Sequence, residues 1–371
     1  VFGIICFVLA ILWCALICFM RSRIQFAIAI LKEVTGALAD MPAMFGLPIF
    51  KFALIAIFYI LWIAVAGGLA SAGTFQDSSN ASAVDIVVNA KSSVLSVVPQ
   101  TMKYSESLQQ AVYYHMFGML WVNAFLIAMM NFMVASSFAQ WYFAPQENGK
   151  KQLKSPVHKA FCLAWTKHMG TMVFGSLIVA IAEAIRRIVD YMIQQAEKQS
   201  PDSKVIKCLA CILKCLTRCI ETCLKYISTQ AYIFTAIFGT SFLPSCYKLF
   251  GFLNKNALRI GTAQALGRIV VKLGRAFVVL FTLVVSFALM EYVEPWKTQL
   301  KSPYLVLFVI CCLAFVMSAV AFEVFGMGMD TLIMCFVADE EMNDGVAAHS
   351  TNMKEHLDSI NKANAVPGNK A

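Results

Sequence analysis

The stretch VFGIICFVLAILWCALICFM, residues 1–20, followed at once by Arg21-Ser22-Arg23, decides the fold. Twenty residues without a charge are what an α-helix needs to cross a hydrocarbon core, and arginines directly after them mark a cytosolic end. Stretches of the same kind recur. Phe52 to Ala72, Ala111 to Ser137, Ala276 to Val293 and Tyr304 to Phe322 read as clear spans. Met169 to Ile185, which carries Glu183, and Tyr232 to Phe252, which is interrupted by Pro244, read as impure ones. The fold predicted is an all-α polytopic membrane protein, a bundle of about seven transmembrane helices plus interfacial amphipathic helices. The membrane domain covers residues 1–338, and a flexible cytosolic tail covers 339–371. Val1 already lies inside an apolar run, so residues are expected upstream of it.

Composition excludes a soluble domain by an independent route. Apolar residues make up 60% and charged residues 14%, against roughly 45–50% and about 25% in soluble proteins. The formal charge of +9 is spread over short clusters between apolar spans, as the positive-inside rule requires, and not over a nucleic-acid-binding face. Loops 21–51, 147–167 and 255–275 hold fourteen of the thirty Lys and Arg residues and read as cytosolic. The Ser-rich loop 74–110 has two lysines and carries Asn80-Ala81-Ser82, the sole N-x-[ST] triplet, so it reads as extracellular with Asn80 a glycosylation acceptor.

Residues 186–227 are also basic, and their sidedness stays open. If both impure spans cross, this stretch lies outside; if neither does, it is cytosolic and the crossings number five. Within it Cys208, Cys211, Cys215, Cys219 and Cys223 follow a spacing of three and four, one stripe of a helix at 203–226. An odd number of cysteines on one stripe is a poor disulfide framework, and no second pair or histidine stands at zinc spacing. Two readings remain: small apolar residues on the buried side of an interfacial helix, or S-palmitoylation sites beside the membrane. Residues 21–39 form a second interfacial helix, with Ile24, Ala27, Ile28, Leu31, Val34 and Leu38 on its apolar face.

Enzyme signatures are missing. There is no G-x-x-x-x-G-K-[ST], H-E-x-x-H or G-x-S-x-G, the five histidines show no metal-ligand spacing, and no cofactor or metal is expected. What the spans do carry is aromatic surface. Tyr59 with Trp62, Tyr114 with Trp121, and Tyr232 offer ring faces whose negative quadrupole holds a quaternary ammonium without a buried carboxylate. The bland alternative for each is an interfacial anchor. Glu183 and His115 are the candidates for proton coupling, set against a local pair of Glu183 with Arg186 or Arg187 and a structural imidazole at His115.

Several stretches, taken in order, resemble one family. They are Arg21-Ser22-Arg23-Ile24, Tyr113-Tyr114-His115 with Gly118 and Trp121, Lys167-His168-Met169-Gly170-Thr171 with Gly175-Ser176, the Cys-rich helix, and Gln230-Ala231-Tyr232. Asn256-Ala257-Leu258-Arg259 and Asp330-Thr331-Leu332 through Cys335 to Asn343-Asp344-Gly345 complete the set. Together they resemble the choline transporter-like family. The resemblance implies ten membrane helices, of which this chain is the carboxy-terminal seven, and passage of choline or ethanolamine, facilitative or proton-coupled. The host is then the plasma membrane, with a mitochondrial or other organelle membrane as the alternative, and the partners are a small cationic substrate and membrane lipids. Met130-Asn131-Phe132, Leu243-Pro244-Ser245-Cys246 and Glu183 depart from the family pattern. The competing function is a non-transporting subunit or scaffold of a larger membrane complex, packed against partner proteins.

Overall fold

The structure, a computed structural model, describes residues 21–72, 74–77, 100–103, 105–147, 150–199, 203–292, 303–344 and 348–349. The expected span at 1–20, the acceptor Asn80 and nearly all of the tail lie outside those residues.

Apolar runs without internal breakers propagate as helix, and proline is tolerated only where its missing N–H has no helical partner to lose. The described residues follow that rule. They form α1 (Arg21–Asp40), α2 (Gly46–Ser71), α3 (Glu106–Tyr142), α4 (Pro156–Thr166), α5 (Met169–Gln199), α6 (Lys204–Phe238), α7 (Phe242–Tyr292) and α8 (Pro303–Met342), with a 3-10 turn at Pro42–Phe45. Pro48, Pro156, Pro244 and Pro303 all fall within the first three residues of their helices. Two short antiparallel ribbons complete the chain. β1 (Thr74–Asp77) pairs with β2 (Gln100–Lys103), Thr74 opposite Lys103, and β3 (Gln146–Glu147) pairs with β4 (Lys150–Lys151).

Among the described residues, four helical stretches are long and apolar enough to cross a membrane: Pro42–Ser71, Glu106–Tyr142, Phe242–Tyr292 and Tyr304–Met342. At about 1.5 Å per residue, the 51 residues of α7 extend about 76 Å, far beyond a 30 Å hydrocarbon core. Two expectations change accordingly. Loop 255–275 is no loop: its basic residues ride on α7, which continues through them because charge alone does not break a helix. Tyr232 to Phe252 is no continuous span either, because α6 ends at Phe238 and α7 begins at Phe242. The chain turns at Gly239, whose φ of +67° is the left-handed conformation that ends helices and that side chains resist. Pro244 therefore opens a helix and does not interrupt one.

The chain divides into two units, one holding residues 21–52, 127–176 and 222 onward, the other 53–126 and 177–221. In the first, α1 packs on α7 and α8, and α7 on α8. The face α1 buries is Ile30, Val34, Ala37 and Leu38, at helical spacing, while Ile28 is exposed, so the expected face rotates and covers protein. The end of α3, from Ala128 to Ala139, is buried almost all round. Gly328 of α8 lets this helix approach: a β-carbon there would overlap the Phe138 ring.

At the far end of α3 a polar knot ties the helices together. Asp339, fully buried, accepts from Tyr142 Oη at 3.2 Å, Asn343 Nδ2 at 2.8 Å, and His349 N and Nδ1 at 2.9 Å each. Lys151 Nζ donates to the Tyr142 carbonyl at 2.8 Å and to the His349 carbonyl at 3.3 Å, and Trp141 Nε1 donates to Asp40 Oδ2 at 2.8 Å. Burial pushes the Lys151 ammonium below its ordinary value of 10.5, against the opposing pull of Glu33, Asp339 and Asp40. The tail expected from residue 339 thus starts inside a helix, with its first side chain in the core.

In the second unit, α5 and α6 run antiparallel and are joined by ion pairs. Arg186 pairs with Glu221 of α6 and with Asp190 at 3.1 Å; Lys214 of α6 reaches Glu197 at 3.4 Å. Outside the pair, Ile181, Ile185, Met192, Leu209, Ile212 and Leu216 are exposed.

Candidate functional site

The second unit also holds a cleft of about 450 Å³ between α2 and α3. Trp62, Ala66, Leu69 and Ala70 line it from α2, at i, i+4, i+7 and i+8; Gln109, Val112, Tyr113 and Met116 line it from α3, at i, i+3, i+4 and i+7, with His115 beside them. These are single faces of two helices. The two alanines leave the space that larger side chains on the same face would fill.

One end of the cleft is a stacked pair. The rings of Trp62 and His115 lie 4.9 Å apart and 4° from parallel. Trp62 Nε1 donates to the His115 carbonyl at 3.2 Å, and His115 Nε2 lies 3.1 Å from the Trp62 carbonyl. A carbonyl only accepts, so Nε2 carries the proton and the tautomer is fixed by this contact. Each ring thus locks the other against rotation. Tyr113 stands at the mouth, 74% exposed.

Of the five aromatic residues expected at the site, only Trp62 lines this cleft. Tyr59 packs obliquely on Phe58, with ring centroids 5.6 Å apart, and Trp121 on Phe117 at 6.4 Å. Tyr114 is 79% exposed on another face of α3. Consecutive helical positions differ by about 100°, and it is Tyr113, not Tyr114, that shares the cleft-lining face with Val112 and Met116. Tyr232 belongs to the other unit. It packs against Phe242 at 5.7 Å beside the Gly239 turn, and its hydroxyl is buried with no partner among the described residues.

The remaining candidates also have definite surroundings. Glu183 accepts from Arg187 Nη2 at 2.8 Å within α5, the i, i+4 pair weighed against a coupling role. Cys208, Cys211, Cys215, Cys219 and Cys223 are free and all exposed, so within this chain they are not on a buried side of α6. No group of three or more His, Cys, Asp or Glu side chains is placed to hold a metal ion among the described residues. Sequence reasoning missed Lys51 and Glu323, which form an ion pair between α2 and α8. The only signal was an unusual acid at the end of an apolar span.

A family profile described as the plasma-membrane choline transporter matches residues 4–341. The chain belongs to that family. Choline transporter-like protein 2 of Dictyostelium discoideum is 28% identical over 346 residues, which is 92% of this chain and 50% of that protein. Choline transporter protein 1 of Arabidopsis thaliana is 27% identical over 336 residues, 88% of this chain and 48% of that protein. Choline transporter-like protein 1 of Torpedo marmorata is 28% identical over 338 residues, with 91% and 48% covered. The chain spans about half the length of these curated relatives. As a member of that family with four such helices among its described residues, it is an integral membrane protein.

Proposed function

We propose that this chain forms the part of a choline transporter that holds the substrate, and that choline binds in the cleft between α2 and α3. The observation that carries this reading is the locked Trp62–His115 stack at one end of an otherwise apolar cleft. A quaternary ammonium has no N–H to satisfy; it needs a ring face and methyl-sized contacts, which Trp62, Ala66, Ala70, Val112 and Met116 offer. Ethanolamine carries three N–H donors into the same lining and should bind less well. His115 is the proton-exchanging group if uptake is coupled. Glu183 is neutralised within its own helix by Arg187.

Seven crossings fit this reading with one substitution: residues 1–20, α2, α3, α5, α6, α7 and α8, where α6 replaces the broken stretch 232–252. At about 1.5 Å per residue, the 31 and 35 residues of α5 and α6 exceed the bilayer core. The largely covered Arg186–Glu221 pair and the exposed apolar side chains of both helices suit a membrane-embedded pair. The five-crossing alternative keeps the exposed cysteine stripe cytosolic and open to S-palmitoylation. A plasma-membrane location and glycosylation at Asn80 belong to the same proposal.

Choline flux into proteoliposomes holding the full-length protein tests the function. Uptake inhibited by excess choline more strongly than by ethanolamine is expected. A folded protein without uptake would leave the scaffold reading in its place.

A further inference from the structure

Lys51 is the only charged residue of α2, and Glu323 follows nineteen uncharged residues of α8 from Tyr304 to Phe322 with Ala321 and Val324 beside it. Their ion pair engages Lys51 Nζ with both carboxylate oxygens. The pair is lopsided: the lysine side chain is 9% exposed and the glutamate 40%. Lys51 is therefore enclosed, with the Phe52 ring 5.7 Å away, while the carboxylate keeps an open face. The other acid of α8 before Asp339 is Asp330, which is more enclosed and feels the charge of Arg268. Glu323 is thus the accessible anion along the apolar part of this helix.

A carboxylate on the apolar part of a membrane helix is costly unless a cation answers it. Its counter-ion is replaceable only by another cation. We propose that Glu323 is a second cation-accepting site, in which Lys51 is a tethered counter-ion that the trimethylammonium group of choline displaces and that returns when the substrate leaves. The proposal rests on the reading of this protein as a choline carrier. It adds to the aromatic cleft a site whose recognition is ionic.

The test uses purified full-length protein as wild type, Lys51→Met and Lys51→Met/Glu323→Gln. A purely structural pair replaced by neutral groups leaves fold and transport intact. Under the proposal the double variant melts like wild type, yet its KM for choline in proteoliposomes rises roughly ten- to a hundredfold, the worth of a contact with a charged group. Lys51→Met alone should be less stable and should gain more from added choline than wild type does, a gain absent in the double variant. Wild-type KM in the double variant, or equal choline-induced shifts in Lys51→Met and wild type, overturns the site while leaving the carrier reading standing. Wild type that takes up no choline removes both.

Discussion

Replacing Trp62 by leucine removes three things that can be counted. The ring face toward the cleft is lost, worth about 0.5–2 kcal/mol to a bound quaternary ammonium, or roughly two- to thirtyfold in Kd. The stack on His115, at 4.9 Å and 4°, is lost with it, about 0.5–1.5 kcal/mol of stability. So is the hydrogen bond from Nε1 to the His115 carbonyl at 3.2 Å, about 1 kcal/mol more. Trp62→Leu should therefore lower both choline affinity and melting temperature. Trp62→Phe keeps a ring and should lose less of the affinity. Equilibrium binding of radiolabelled choline to the purified protein measures the first effect, and thermal unfolding the second. Tyr114→Leu and Trp121→Leu serve as controls, since neither side chain lines the cleft, and both should stay within about twofold of wild type. Unchanged affinity in folded Trp62→Leu, or an equal loss in Tyr114→Leu, would refute the assignment of this cleft.

Three further outcomes are expected. Gly328→Val places side-chain atoms in the Phe138 ring and should destabilise the protein by about 1–3 kcal/mol, partly relieved by Phe138→Leu, as read by thermal unfolding. His168 packs on Phe132 at 5.0 Å, and burial holds its pKa below the ordinary 6.5. The unfolded chain then takes up a proton first, so stability is full above about pH 6.5 and falls as pH drops toward the folded value, a dependence that His168→Phe should flatten. With the five stripe cysteines changed to alanine, Ser203→Cys at the α5–α6 turn should react with an impermeant thiol reagent added outside cells; protection there would restore the five-crossing topology.

The helices were legible in the sequence because apolar runs and breakers are local signals. Pro42, Pro156 and Pro303 start helical segments wherever they stand after a gap. Their lengths were less legible. Nothing between Phe242 and Tyr292 breaks a helix, yet the cluster Lys255, Arg259, Arg268, Lys272 and Arg275 reads as a loop when charge is taken as a sign of irregular backbone. Lys255 and Arg259 instead find partners on α8, at Glu341 and Glu340. Face selection failed for a different reason. Whether Tyr113 or Tyr114 points into a cleft depends on where the partner helix lies, and periodicity along α3 alone does not contain that. Long-range pairs were out of reach altogether: Lys51 and Glu323 are 272 residues apart, and each alone is an ordinary boundary charge.

The charge of residues 186–227, which opposes an outside location by simple counting, loses much of its force once its partners are known. The positive-inside rule counts lysines and arginines in short loops near helix ends, where each stands as a free charge against the membrane potential. Arg186, Arg187 and Lys214 are not such residues. Each meets an acid within the α5–α6 pair: Glu221 and Asp190, Glu183, and Glu197. A paired cation costs far less to carry into a bilayer than the cation alone, and Ile185, Met192, Leu209 and Ile212 are exposed on the same two helices. In water the same arrangement would leave large apolar side chains exposed along both helices. Pairing thus lowers the cost that crossing would otherwise carry for Arg186, Arg187 and Lys214.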